Sequence, residues 1–307
     1  MTVELAPNST FASYRIERLI GRGGMGAVYR ARRSSDDAPV ALKVVLDEHA
    51  QNPRFLARFE REGRLASQLT HPHLVPIYEA GTDDGVPFLA MAFVDGVDLL
   101  AAVEERERLH PVTAAGIVSQ VGSALDAAHA NGLVHRDVKP GNILLEPRAH
   151  AVHAYLTDFG LSKHVESKSG LTGTGQWVGT VDYAAPEQVQ AQDTDARTDV
   201  YALGCVLYRA LTGSVPYPRE RDVDKLVAHL SGPPPKVSTS ATGVPAAFDE
   251  VVATAMATRP EDRFQSAGAL GDAALDAARL AGREPPDPVP FPAASSAAVE
   301  GEAPTAG

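Results

Sequence analysis

A single cysteine, Cys205, occurs among the 307 residues, which excludes an intramolecular disulfide and a thiolate cage for a metal and fits a reducing compartment. It lies in the apolar run Tyr201-Ala202-Leu203-Gly204-Cys205-Val206-Leu207, so a buried core thiol is the expectation. There is no dense Lys/Arg block. With 28 basic against 39 acidic residues the net charge is −11, which argues against nucleic acid as a partner. No uninterrupted apolar segment reaches spanning length, so no membrane segment is expected within the chain. The opening Met1-Thr2-Val3-Glu4-Leu5-Ala6-Pro7 lacks both a basic start and a long apolar stretch, and no secretion signal is expected.

What the chain does have is enough length and apolar content, 44%, for a globular fold with two lobes. After an N-terminal extension, residues 1–10, residues 11–94 read mainly as strands around one helix. Ile16, Leu19 and Ile20 lead into a glycine cluster, 27–32 alternates, and 40–46 is a dense apolar run. The helix is expected over 54–69, where Phe55, Phe59, Leu65 and Leu69 recur at near-helical spacing. Residues 95–282 read as a larger helical part. Pro111 opens a helix that Asn131-Gly132 closes, 198–211 is apolar nearly all round, and 245–257 and 264–280 read as two more helices. Residues 283–307 are rich in Pro and Ala and read as a linker or disordered end.

The loop His135-Arg136-Asp137-Val138-Lys139-Pro140-Gly141-Asn142 gathers a carboxylate, two cations and a carboxamide, the groups needed to move a phosphoryl group onto a hydroxyl. Asp137 can hold the attacking hydroxyl by its proton, Lys139 can neutralise phosphoryl oxygens, and Asn142 can offer a neutral oxygen to magnesium. Upstream, Gly21-Arg22-Gly23-Gly24-Met25-Gly26 has the spacing GxGxxG, which dinucleotide-binding folds share. Here an alternating strand and Lys43 follow, rather than a helix and a later acid, so the glycines are expected in a hairpin over phosphates.

Together with Val40-Ala41-Leu42-Lys43, Asp158-Phe159-Gly160 and Ala185-Pro186-Glu187 in this order, the chain resembles eukaryotic-like serine/threonine protein kinases. The bacterial, receptor-type branch fits best, through Gly23-Gly24-Met25-Gly26, Val138-Lys139-Pro140 and the 199–205 run. The resemblance spans about residues 11–281 and implies an α+β, bilobal protein-kinase-like fold: a small antiparallel β-rich N-lobe with one main helix, and a larger α-helical C-lobe. It implies ATP and Mg2+, with Mn2+ an alternative. Lys43 would pair the nucleotide's phosphates and be held by Glu62, for which Glu60 is a rival. Asp137 would be the base, and Asp158 and Asn142 the metal ligands. Adenine would lie among Ile20, Val28, Ala41 and Leu144, against the hinge Ala92-Phe93-Val94 and in front of Met91, with Gly21, Gly23, Gly24 and Gly26 over the phosphates. Ala92 and Thr157 depart from the family's commoner residues without removing a catalytic group.

Lys139 and Gly179-Thr180 follow the serine/threonine pattern, so the implied partners are proteins carrying Ser/Thr. The chain itself is another, through autophosphorylation in a transient homodimer at Thr172 and Thr174, with Arg136 as the phosphate's partner. Glu187 is expected to bind Arg263, and Asp199 to anchor the catalytic loop. His71-Pro72-His73 is read as a turn rather than a metal pair, and His135 as a core residue. The expected compartment is the cytoplasm, with a membrane tether if the natural protein extends beyond Gly307. Two rival readings are a pseudokinase, opposed by the presence of Lys43, Asp137, Asn142 and Asp158, and a small-molecule phosphotransferase, opposed by the 180–187 platform.

Overall fold

The computed structural model describes residues 5–23, 26–45, 53–148, 151–159 and 181–281. In its small lobe, β1 (Thr10–Phe11), β2 (Tyr14–Gly23), β3 (Gly26–Arg33), β4 (Pro39–Val45), β5 (Ile77–Asp83) and β6 (Val86–Ala92) form an antiparallel sheet in the order β1-β2-β3-β4-β6-β5. Alternation along β4 sorts its side chains between two cores. Val40, Leu42 and Val44 join Ile16, Tyr29 and Phe88 on one face, while Ala41 and Val45 join Phe59, Leu89 and Met91 on the other. That second face is covered by α1 (Pro53–Ser67), the helix expected over 54–69.

A second sheet, β7 (Val97–Asp98), β8 (Ile143–Arg148) and β9 (Ala151–Leu156), joins the lobes. The large lobe follows with α2 (Leu99–Arg106), α3 (Pro111–Ala130), α4 (Pro186–Val189), α5 (Ala196–Thr212), α6 (Asp222–Ser231), α7 (Val237–Ser240), α8 (Ala247–Ala255) and α9 (Ala267–Ala278). Pro111 is the first residue of α3, and Gly132 beyond its end adopts φ 74°, so the stop signals at 131–132 act as expected. α5 is central, with Val200, Leu203, Cys205, Val206 and Leu207 fully buried. α9 begins later than the 264–280 pattern, because the Asp126 carboxylate accepts from the Ala267 and Gly268 amides and Ser266 caps the turn. Among the described residues, no helix is long and apolar enough to cross a membrane.

His229 of α6 is buried and shares a 2.8 Å hydrogen bond with the Tyr201 hydroxyl. Burial pushes its pKa down from 6.5 to about 4. A lowered histidine pKa means that the unfolded chain takes up a proton the folded chain refuses, so stability falls as pH drops from 6.5 towards 4. Over that window the loss is of the order of 3 kcal/mol. Denaturant midpoints at neutral and acid pH measure it, and His229→Gln is expected to lose less between the two.

Candidate active site

The catalytic loop takes its shape from α5. Asp199, fully buried in the first turn of that helix, accepts the His135 amide at 2.8 Å and the Arg136 amide at 2.7 Å. His129, from the last turn of α3, donates to the same carboxylate at 2.7 Å. The helix N-terminus supports this charge as well. Arg136 is thereby held at φ 62°, and its carbonyl accepts from Gln188 at 3.0 Å. His135 is completely buried, as expected. Its Nδ1 accepts the Asp137 amide at 3.2 Å, so Nε2 carries the proton and donates to the Thr157 carbonyl at 2.9 Å. This imidazole braces the backbone before Asp158 against the backbone of Asp137.

At the reacting end, two side chains converge on the Asp137 carboxylate. Lys139 Nζ lies 2.8 Å from Asp137 Oδ2, and Asn142 Nδ2 donates to the Asp137 carbonyl at 2.8 Å and to its Oδ2 at 3.3 Å. Those bonds commit the Asn142 amide nitrogen as donor, so its side-chain oxygen is the acceptor end. From the small lobe, Lys43 on β4 reaches Asp158 Oδ1 at 2.8 Å, so strand and loop meet across the cleft. Asp158 also has a left-handed backbone, φ 61°. Arg136 and Asp158 thus both hold a conformation that L-residues rarely adopt, and such strain collects at functional sites.

Behind these groups, Ala41 and Met91 belong to one apolar cluster against which Val28, Ala92, Val94 and Leu144 pack. All six were expected around adenine. Ile20 stands 38% exposed at the mouth, and the Thr157 hydroxyl donates to the Met91 sulfur at 3.6 Å. The glycines divide by role. A Cβ on Gly21 would meet nothing, which leaves room for a ligand, whereas one on Gly26 would strike the Val44 carbonyl oxygen, so that glycine is required by the approach of β4. Gly23 ends β2, and Gly24 lies outside the described residues.

Glu62 is half-buried on α1, while its rival Glu60 is exposed. Gly160, Thr172, Thr174, Gly179 and Thr180 lie outside the described residues. Arg136 Nε donates to Thr194 Oγ1 at 2.9 Å. The oxygen donors of Asp158 and Asn142 are hard ligands of the kind magnesium takes, one or two from protein with phosphate and water completing the shell. His71 and His73 instead bond to Ser123 and to the Ala154 carbonyl, which fixes the turn against β9. Glu187 meets Arg263 through two 2.8 Å hydrogen bonds with both side chains buried, as expected. Sequence reasoning missed His129, Gln188 and Thr194. Of these only His129 left a signal, since a helix ending at 130 places it beside the loop.

Residues 14–270 match the protein kinase domain family. The serine/threonine-protein kinase PknH of Mycobacterium tuberculosis is 45% identical over 269 residues, 88% of this chain and 42% of the relative. PknD from the same species is 46% identical over 271 residues, 88% of this chain and 40% of the relative. The chain therefore spans less than half the length of these relatives. Among solved structures, the M. tuberculosis PknI kinase domain superposes with a TM-score of 0.73 at 33% identity, covering 90% of this chain and 100% of that one. The chain belongs to the protein kinase domain family, and its sequence is similar to the bacterial eukaryotic-like serine/threonine kinases.

Proposed function

We propose that this chain transfers the γ-phosphoryl group of ATP to Ser/Thr hydroxyls of proteins, in the cytoplasm, and that its own activation segment is among its substrates. One observation carries the reading: Lys139 and Asn142 converge on Asp137, while Lys43 and Asp158 meet across the same cleft. In this reading Asp137 accepts the hydroxyl proton and Lys139 screens the migrating oxygens. Asn142 and Asp158 would hold Mg2+, or Mn2+ in its place, which would supply positive charge beside the phosphates. Lys43 orients the nucleotide, with half-buried Glu62 as its support on α1. Phosphoryl transfer has a loose transition state, so position and charge supply most of the acceleration, and orientation alone is worth about 7–11 kcal/mol. The catalytic unit runs from residue 11 to 282 as an N-lobe ending at 94 and a C-lobe beginning at 95.

A phosphate on Thr172 or Thr174 brings about −1.5 to −2 charge, for which Arg136 offers a bidentate partner. Its Nε donates to the Thr194 hydroxyl at 2.9 Å. Incubation with MgATP and a generic basic protein, followed by intact mass and site mapping, tests both parts. Phosphoserine and phosphothreonine are expected, with Thr172 and Thr174 modified, and the double Thr→Ala variant is expected to turn over about tenfold more slowly, the scale of one charge-assisted bond. Phosphotyrosine alone, or phosphate only on an aminoglycoside or sugar, removes the acceptor assignment; unchanged turnover of the double variant removes the switch.

A further inference from the structure

Arg209 lies in the last turn of α5 with its side chain only 18% exposed. Among the described residues the carboxylate that pairs with it, Glu104 on α2, stands 3.8 Å from Nη2 and is itself 61% exposed. That is beyond hydrogen-bond reach. Nε is buried and, among the described residues, has no hydrogen-bond partner. Asp182, on the Val181–Tyr183 turn, is held by Lys225 at 2.9 Å. A guanidinium this far out of water, with Nε buried and unpartnered and its paired carboxylate 3.8 Å away, is under-compensated, and its Nη groups are the donors that a further carboxylate would take.

The surroundings say where such a carboxylate would come from. α2 packs on Pro140–Asn142 of the loop that carries Asp137, and α5 packs on the Val181–Tyr183 turn, where the segment between Asp158 and Glu187 ends. Burial raises the Tyr183 pKa and the Arg209 charge opposes that rise, which places the cation beside this turn. Arg209 therefore sits between the reacting loop and the surface over which a protein substrate would lie.

We propose that Arg209 is a specificity-determining residue that binds an Asp or Glu side chain flanking the phosphoacceptor of a protein substrate. This rests on the kinase reading above. An arginine at a helix C-terminus also complements the helix dipole, a role indifferent to peptide sequence. The measurement is therefore a selectivity. Peptides with one threonine in a neutral host carry Glu, Ala or Arg at each flanking position in turn, and kcat/KM is compared among the parent, Arg209→Gln and Arg209→Glu. The parent is expected to favour Glu over Ala about tenfold at one position, the scale of one charge-assisted bond. Arg209→Gln brings that ratio to about one, and Arg209→Glu turns the preference towards Arg. Glu104→Gln removes an exposed competitor for the guanidinium and raises the ratio about twofold, which keeps the test available if the Arg209 variants do not fold. A Glu preference that survives Arg209→Gln, or a ratio that Glu104→Gln leaves unmoved, overturns the proposal, as does a parent that phosphorylates every peptide equally. A parent that phosphorylates no peptide with MgATP removes the kinase reading, and this assignment with it.

Discussion

Asp137→Asn is expected to lower peptide phosphorylation by about 10²–10⁴-fold, the usual contribution of a positioned general base. The substitution keeps the shape of the side chain and removes its charge and its ability to take a proton. Lys139, 2.8 Å away, then loses its counter-charge, so the positioning of the phosphoryl-screening cation is disturbed together with the base. The nucleotide site proposed above lies elsewhere, in the Ala41 and Met91 cluster and at Lys43 and Asp158, so on that reading ATP affinity should change by no more than about twofold. Steady-state kinetics together with direct nucleotide binding separates these terms. Turnover within about tenfold of the parent would remove Asp137 as the base, and a parallel loss of ATP affinity would recast it as a binding residue.

The second large effect concerns stability. Arg263→Met is expected to cost about 3–5 kcal/mol, because it strands the Glu187 carboxylate in the core. Glu187 is 4% exposed and also accepts the Thr198 hydroxyl at 2.7 Å. Arg263 donates further to the carbonyls of Ala257, Thr258 and Arg197, and its guanidinium lies 4.9 Å from the Tyr201 ring centroid. Burial pushes the Glu187 pKa up, but the bonds to Arg263 and Thr198 outweigh it and hold the group below the ordinary carboxylate range. With a lowered carboxylate pKa, this contribution is present above the unfolded value and disappears as pH falls through the folded one. Chemical denaturation at neutral pH measures the loss. Replacing both partners with apolar residues should restore much of it, since no unpaired charge then remains. A single variant within about 1 kcal/mol of the parent would show that Glu187 finds solvent or another cation.

The residues that carry charge chemistry were legible in the sequence because their types leave few alternatives at that spacing. Asp137, Lys139 and Asn142 share one short loop, and a buried acid such as Asp199 needs donors that only the adjacent loop amides supply. The strands of the small lobe were legible through alternation in β3 and through a dense apolar run in β4. α6 was not read from the sequence, since only Leu226 and His229 are buried while Val223 and Val227 face outward, which gives no clean apolar face. The late start of α9 depends on Asp126, about 140 residues away. The requirement for Gly26 comes from a neighbouring strand and not from a ligand, which a motif read along one chain segment does not reveal. Thr194 and Arg209 carried no local pattern at all, because their meaning arises from what α4, α5 and α2 bring beside them.

Asp199 fastens two consecutive amides of the reacting loop to a helix whose other residues form the centre of the large lobe. The loop is in that sense a passenger: its chemistry is written in its own residues, but its posture is inherited from the helix beneath. A substitution deep in that helix, far from any nucleotide, is then felt first as a fault in phosphate transfer.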